Sequence, residues 1–264
     1  MKQIFISGIT GKVGTLLSSY ILKDSDFDLV GGSCSPNNLF IQKDIGELLD
    51  MNEVGIKISD TIPEEVKPDV IIDFSSPEAS MKVLKEAVTR NIPILIGTTG
   101  FNSTQIEEIE LSSKEIAILY APNTSPGIAI LKSLLNHAKK FFSTDNQFNI
   151  SETHHTEKKD APSGTALDLQ KEISIIYPGA NVSIESFREG KNPGEHTVRI
   201  ELHDEIIELK HKAESRSIFA LGALKGASWL TEKTAGLYAM TDIYCHLLIF
   251  QISLILLSLS TTPP

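Results

Sequence analysis

The side chains best suited to proton transfer gather between residues 151 and 160, a stretch that reads SETHHTEKKD. His154 and His155 stand three to four positions before Lys158. A histidine titrates near neutral pH and can act as a general acid or base, whereas a lysine supplies a positive charge or a proton. Together they favour a site that binds an anion and protonates it. Taken alone, each could equally be a structural side chain, and Lys159 is best interpreted as a solvated charge.

A predicted helix start follows this cluster. Ser163 is typical of an N-cap, and the apolar pattern after it predicts a helix to about Ile176. The N–H groups at such a start, here those of Gly164 and Thr165, favour a carboxylate. We therefore expect an anionic, dicarboxylate-like ligand at this turn. No cysteine or carboxylate completes a metal-ligand set at a known spacing, so no metal is predicted.

A second motif lies near the beginning of the chain. Residues 8–14 read GITGKVG, which has the spacing G-x-x-G-x-x-G. Glycines at these positions let the backbone turn tightly and approach a pyrophosphate, which the following helix start then binds. A glycine triplet also fits a plain structural turn, but its setting between a strand and a helix favours a dinucleotide.

The end of the second predicted strand lacks the acid that usually accompanies this motif. A carboxylate there ordinarily binds the ribose 2′-hydroxyl and repels a 2′-phosphate. Residues 31–38 read GGSCSPNN, without Asp or Glu. We therefore expect a 2′-phosphate to be tolerated, with Lys12 adding a favourable charge.

The elements that must position the glycine motif form an alternating pattern. Apolar runs predict strands at 3–7, 27–31, 69–74, 93–96 and 116–120. Val13, Leu17 and Ile21 lie on one face of an intervening helix, and Ser76 with Pro77 predicts the start of another. Continuous apolar strands separated by helices indicate a parallel sheet covered on both faces. The fold class is therefore α/β with an N-terminal Rossmann-like dinucleotide-binding domain.

The pattern changes near residue 125. A helix is predicted at 126–142, and the apolar residues that follow it alternate with polar ones, as in a mixed sheet with one solvated face. We predict a dinucleotide-binding domain at 1–125, to which 235–264 return. Residues 126–234 would form an α+β domain for substrate binding and oligomerisation.

The composition excludes some classes of partner. The chain of 264 residues has 34 Asp and Glu against 24 Lys and Arg, a formal net charge of −10. Nucleic acids and anionic membrane surfaces are both bound through a basic face, which this acidic composition does not favour. We therefore expect neither a nucleic-acid nor a membrane partner. Cys34 and Cys245 make no disulfide framework, and the first apolar run is too short for a signal peptide. These features predict a cytoplasmic protein.

One apolar segment, 247–259, does not fit this picture. It is shorter than the ~20 residues that a membrane-spanning helix needs. A buried terminal strand or helix is the favoured interpretation, and a membrane anchor is the alternative.

At this point the sequence resembles a known family. The stretch from His154 to Ala166, HHTEKKDAPSGTA, is similar to the signature of the 4-hydroxy-tetrahydrodipicolinate (dihydrodipicolinate) reductases. Other matching stretches follow in the family's order over about residues 3–243: IDFSSPE, IGTTGF, APNTS, GEHT, HKA and GLYAM.

The resemblance implies roles for particular residues. The first domain would bind NADPH or NADH through three segments: Gly8, Ile9, Thr10, Gly11, Lys12 and Val13; Gly97, Thr98 and Thr99; and Ala121, Pro122, Asn123 and Thr124. The second would bind a cyclic dicarboxylate substrate through His155, Ser163, Gly164 and Thr165. His154 and Lys158 would be its acid–base pair. The family further implies a homotetramer associated through the sheet of the second domain.

The chain departs from the family's pattern at three places. The often acidic position falls at about Cys34, so we expect NADPH to be equal to NADH or modestly favoured. The stretch 188–196 is shorter than in longer members, which predicts a smaller tetramer sheet. The apolar tail replaces a short polar ending.

Two other functions compete with this interpretation. One is a different two-domain dehydrogenase, acting on an aspartate-derived semialdehyde or a sugar. The other is a protein that senses a dinucleotide without turnover. A sensor has no need of the acid–base pair His154 and Lys158, and another dehydrogenase need not carry this arrangement of His, Lys and Ser-Gly-Thr.

Overall fold

The computed structural model describes residues 1–143 and 145–244. They form two compact units. The first comprises residues 1–125 and 217–243, and the second comprises the described residues of 126–216 together with Tyr244.

The strands and helices are numbered in chain order. The strands are β1 (Lys2–Ser7), β2 (Phe27–Ser33), β3 (Ile58–Ser59), β4 (Val70–Asp73), β5 (Ile94–Ile96), β6 (Ala117–Tyr120), β7 (Gln147–His154), β8 (Asn181–Arg188), β9 (Glu195–Glu201), β10 (Ile206–Lys212) and β11 (Gly236–Tyr238). The helices are α1 (Lys12–Ile21), α2 (Ile45–Leu48), α3 (Pro77–Arg90), α4 (Ser103–Ser112), α5 (Pro126–His137), α6 (Gly164–Ile176) and α7 (Ser217–Leu230).

The first unit is built on a seven-stranded parallel sheet in the order β11-β6-β5-β4-β1-β2-β3. Ile94 and Ile118 face one side, in a core that includes residues of α3 and α4. Their neighbours Leu95 and Leu119 face the other side, where they contact Gly226 of α7. Helices therefore cover both faces, which confirms the predicted Rossmann-like α/β class.

The second unit is a four-stranded mixed sheet in the order β10-β9-β7-β8. β7 runs parallel to β8 and antiparallel to β9. The buried side chains of Phe148 and Ile150 on β7 pack in one cluster with Leu169 and Ile173 of α6. The predicted alternation of apolar residues is thus confirmed.

Two expectations about boundaries need correction. Residues 217–234 were assigned to the second domain, but α7 packs on β4, β5 and β6 and beside α1, so it belongs to the first unit. Its small residues Ala223, Gly226 and Ala227 let it approach the sheet closely. The helix predicted at 126–142 ends at His137 and passes into a short 3₁₀ turn, Ala138–Lys140.

The strand β11 pairs with β6, so residues 236–238 do return to the first unit. Within the described part of the chain, no helix has the length and apolarity to cross a bilayer. The apolar segment at 247–259 lies outside the described residues.

Candidate active site

The glycine motif forms a tight connection between β1 and α1. Gly8 has a φ of 79°, and a Cβ there would overlap the carbonyl group of Phe74. A Cβ on Gly14 would overlap the carbonyl group of Gly8. The close approach therefore depends on glycine at both positions. Helix α1 begins without a side-chain cap, which leaves its first N–H groups to an external acceptor such as a phosphate.

This connection opens onto a cavity of about 570 Å³ in the first unit. Gly8, Thr10 and Gly11 line it on one side, and the loop after β2, from Cys34 to Asn38, lines it on another. The Asn38 side chain donates a hydrogen bond to Thr10 Oγ1 at 3.2 Å, which joins the two loops. The cavity is within the size range of small-molecule sites.

Several residues expected to bind the cofactor have their side chains committed elsewhere. The Ile9 side chain is fully buried. Thr98 Oγ1 donates to Asp73 at 2.6 Å and accepts from the Ser75 N–H, and Thr124 Oγ1 donates to the Phe219 carbonyl at 2.8 Å. These side chains hold the strand ends in place, so a contact with a cofactor there would have to come from the backbone.

In the second unit, the apolar face of β7 becomes polar at its end. Phe148 and Ile150 are followed on the same face by Glu152 and His154, because alternate residues of a strand share a face. Glu152 is fully buried, and its Oε2 is hydrogen-bonded to Nδ1 of His154. The carboxylate thereby fixes the His154 tautomer with the proton on Nδ1 and leaves Nε2 for chemistry.

The pairing of the strands supplies the partners of this couple. Arg188 of β8 lies opposite His154, and His196 of β9 lies opposite Glu152. The Arg188 Nη1 is 3.0 Å from Glu152 Oε1. Although burial raises the pKa of Glu152, hydrogen bonds from Ser186, His154 and Arg188 outweigh it and hold the pKa below its usual value. Glu152 is therefore a buried, paired carboxylate.

Arg188 also organises the loop that carries Lys158. Its Nη2 donates to the Asp160 carbonyl at 2.6 Å, and its Nε reaches the Lys158 carbonyl at 3.4 Å. The Lys158 ammonium pairs with the Asp160 carboxylate at 2.7 Å. His154 and Lys158 are thus connected to one carboxylate–guanidinium pair, His154 through Glu152 and Lys158 through its own backbone.

Both buried histidines have pKa values below the ordinary value of histidine. Burial lowers the pKa of His154, and the positive charges of Lys158 and Arg188 add to this, while Glu152 opposes it. Burial, together with His154 and His211, lowers the pKa of His196 to about 3. A His154 with a lowered pKa gives up a proton readily once it has taken one.

The predicted start of α6 is confirmed, with Ser163 as its N-cap. The Ser163 hydroxyl accepts from the Ala166 N–H and lies 3.2 Å from His196 Nε2. Its own N–H donates to Glu152 at 3.3 Å. This buried hydroxyl therefore supports the helix start, and the expected contact of Ser163 with a substrate stays a prediction.

Gly164 and His155 face open space. Nothing lies within 4 Å of a Cβ built on Gly164. His155 lines a cavity of about 530 Å³ together with Lys191 and Arg216, and its Nε2 is 3.5 Å from the Arg216 guanidinium. Lys191 and Arg216 outnumber Glu157, the one carboxylate among the described lining residues, so the cavity suits an anion. Lys158, Gly164 and Thr165 do not line this cavity.

Glu152, His154 and His196 bring ligand-type atoms within 4.8 Å of one another, the one such group of three among the described residues. The expectation that no carboxylate completes such a set missed this group, which strand pairing assembles. Both Glu152 oxygens are already engaged, one by His154 and the other by Arg188 and Ser163. We therefore assign the group to the hydrogen-bond network.

Comparisons with known proteins place one boundary near residue 125, as the structure does. Family models described as dihydrodipicolinate reductase, N-terminus and C-terminus, match residues 2–124 and 127–244. The chain belongs to the dihydrodipicolinate reductase family. It is therefore a member of an oxidoreductase family.

Individual relatives cover nearly the whole chain. A 4-hydroxy-tetrahydrodipicolinate reductase of Buchnera aphidicola subsp. Cinara cedri is 38% identical over 91% of this chain and 96% of its own length. That of Colwellia psychrerythraea is 35% identical over 91% and 97%. The structure of a dipicolinate-bound dihydrodipicolinate reductase from Paenisporosarcina sp. TG-14 shares the fold, with a TM-score of 0.74 and 21% identity over 90% of this chain and 97% of that one.

Three residues of the second unit were missed by the sequence interpretation: Glu152, Arg188 and His196. For Glu152 a signal was present: it stands two positions before His154, just after the alternating apolar pattern, and residues two apart on a strand share a face. Arg188 and His196 join the site only through the register of β8 and β9, which no local pattern reveals.

Proposed function

We propose that this protein catalyses the NAD(P)H-dependent reduction of 4-hydroxy-tetrahydrodipicolinate to tetrahydrodipicolinate, a step of lysine and diaminopimelate biosynthesis. Membership in the family supports the reaction. The observation that carries the catalytic assignment is the buried Glu152 hydrogen-bonded to His154, on the strand that leads into Lys158.

The first unit fits a dinucleotide. The glycine connection and the open start of α1 would hold the pyrophosphate, and the loop after β2 would face the adenosine ribose. A bound nicotinamide supplies a hydride. The backbones of Gly97 to Thr99 and of Ala121 to Thr124 follow β5 and β6, at the same carboxyl edge of the sheet as Gly8, which is where dinucleotide folds bind their ligand.

The second unit would bind the substrate and move the proton. His155, with Lys191 and Arg216 beside it, would bind one carboxylate, and the N–H groups of Gly164 and Thr165 would bind the other. The net reaction adds one hydride and one proton to the ring system and releases its hydroxyl as water. His154 Nε2 and Lys158 Nζ are the groups we assign to the proton transfers.

A coupled assay tests this function directly. Condensation of pyruvate with aspartate semialdehyde would generate the substrate, and loss of NAD(P)H absorbance would report its reduction. We expect turnover by the wild type and its near-complete loss in His154→Ala/Lys158→Ala, with nicotinamide binding retained. Nicotinamide binding without any turnover by the wild type would instead identify a dinucleotide sensor.

We further propose a cytoplasmic homotetramer that associates through the second sheet. The apolar side chains of Phe187 on β8 and Ile206 on β10 are exposed in the single chain and lie on the face of the sheet opposite the buried one. Their burial between copies would explain apolar residues on that face. Light scattering of the wild type and of Phe187→Glu/Ile206→Glu tests this, and a wild-type monomer would contradict it.

A further inference from the structure

Strand β3 places an acidic residue beside the end of β2. The two strands pair in parallel, with Gly32 opposite Ile58 and Ser33 opposite Ser59. The Cys34 N–H continues the pairing by donating to the Ser59 carbonyl at 2.9 Å. Asp60 directly follows Ser59 at the end of β3, so it lies next to Cys34 at the carboxyl edge of the sheet.

Asp60 and Cys34 line the same cavity as the glycine connection. Asp60 is exposed and forms no ion pair with any residue that the structure describes. Burial raises the pKa of the Cys34 thiol, and the negative charge of Asp60 raises it further. The charge of Asp60 therefore acts on the end of β2. Dinucleotide folds with this glycine motif usually carry an acidic residue at the end of β2, and this chain has none there. The end of β2 nevertheless lies next to a carboxylate, that of Asp60, which follows β3.

The other charged side chains that line this cavity do not neutralise the Asp60 carboxylate. They are Glu78 and Lys82, both on α3, and no arginine is among the described lining residues. A single lysine against two carboxylates leaves the lining with a net negative charge. A phosphate on the ribose would add about two further negative charges to it.

We propose that Asp60 supplies, from the end of β3, the carboxylate that dinucleotide folds ordinarily place at the end of β2, and that it makes the site select NADH over NADPH. This inference rests on the proposed function, since it assumes that the cavity binds a nicotinamide dinucleotide. The ribose 2′-hydroxyl would donate to Asp60, whereas a 2′-phosphate would meet a like charge.

The inference reverses the cofactor expectation drawn from the sequence. That expectation considered the charge of Lys12 and the end of β2 at residues 31–38, which contain no acid. Parallel pairing of β2 with β3 brings in a residue 26 positions after Cys34. The substituted carboxylate can be recognised only when the neighbouring strand is known.

The test is a binding titration without substrate. Nicotinamide fluorescence gives the Kd of NADH and of NADPH for the wild type, Asp60→Asn and Glu78→Gln. We expect the wild type to bind NADH about tenfold or more tightly, the scale of one like-charge contact at a partly wet site. Asp60→Asn should remove most of that preference. Glu78→Gln removes the same charge from another wall and is the matched control, for which we expect less than about a threefold change in the ratio.

Three results would overturn the inference: a wild type that prefers NADPH, an unchanged ratio in Asp60→Asn, or an equal shift in Glu78→Gln. If the enzyme turns over substrate normally with such a ratio, only the inference fails. If it binds neither nucleotide, the proposed function fails with it.

A second readout does not depend on the nicotinamide at all. Alkylation of Cys34, followed by mass spectrometry of its peptide to separate it from Cys245, reports the thiol pKa through its rate at fixed pH. Asp60→Asn should speed this reaction, because a negative charge that raises the thiol pKa is gone. An unchanged rate would show that Asp60 does not act on the end of β2, and would also overturn the inference.

Discussion

The two regions that we propose as the cofactor site and the proton-transfer site are built by different means. In the first unit, backbone N–H groups and glycines at Gly8 and Gly14 form the site, and helix α1 starts without a side-chain cap. In the second unit, the buried side chains of Glu152, His154 and His196 form the network around the proposed proton transfer, and helix α6 starts with a capped and buried Ser163. A backbone-built site tolerates loss of a nearby charge, whereas a side-chain network depends on each member.

The largest expected difference between the two regions appears when one lysine is removed from each. We expect Lys158→Ala to lower kcat by about 10²–10⁴-fold, the usual range for losing a positioned acid or base. Lys12→Ala, in the glycine connection, is the matched control and should leave kcat within about threefold. Steady-state kinetics with saturating cofactor measure both. Equal losses in the two variants would show that the regions do not differ in this way.

Removal of the Glu152 charge should have the next largest effect. The carboxylate is the group that raises the pKa of His154 against burial, so Glu152→Gln should lower that pKa further. If protonated His154 acts as the acid, the loss of activity with rising pH then begins at a lower pH. We expect kcat at neutral pH to fall by about 10–100-fold, within the range of acid–base contributions.

The pH profile separates positioning from mere support of the fold. Lower activity with an unchanged profile would mean that Glu152 only stabilises the strand. The variant Ser186→Ala removes another hydrogen bond to the same carboxylate without altering its charge. It should leave the profile of His154 close to that of the wild type.

These two tests also separate what the sequence could predict from what it could not. The glycine connection and the Ser163 cap are local patterns within about seven residues, and both were predicted correctly. Glu152 with Arg188 and His196, and Asp60 with Cys34, meet only through strand pairing, which depends on register rather than on local sequence. The same reason explains α7, whose apolar composition predicts burial but not which unit buries it.

A smaller effect concerns stability in acid. The pKa of His196 is depressed to about 3 in the folded protein, below its ordinary value of 6.5. The unfolded chain therefore takes up a proton below pH 6.5 that the folded protein does not. Its contribution to stability is present above that pH and is lost as the pH falls toward 3. Between pH 7 and pH 5 we expect a loss of about 2 kcal/mol from this residue.

Urea denaturation at pH 7 and pH 5 measures that loss. His196→Gln keeps a hydrogen-bonding side chain near Ser163 but cannot titrate, so its stability should change by about 2 kcal/mol less than that of the wild type between the two values. Other groups titrate equally in both proteins and cancel in the difference. The same drop in both proteins would contradict the assignment of a neutral His196.

The smallest effect is expected where the side-chain network meets solvent. Lys158 pairs with Asp160 at 2.7 Å, but the Asp160 side chain is 61% exposed. An exposed ion pair contributes little, because solvent screens it and ordering two flexible side chains costs entropy. Asp160→Asn should therefore change the free energy of unfolding by less than about 0.5 kcal/mol.

The Arg188 contact in this loop goes to the Asp160 carbonyl, which the substitution keeps. The loop should therefore remain in place, and kcat should stay within about threefold of the wild type. Urea denaturation and steady-state kinetics check both. A loss approaching that of Lys158→Ala would mean that the carboxylate positions Lys158 itself, and that the network extends to the surface of the second unit.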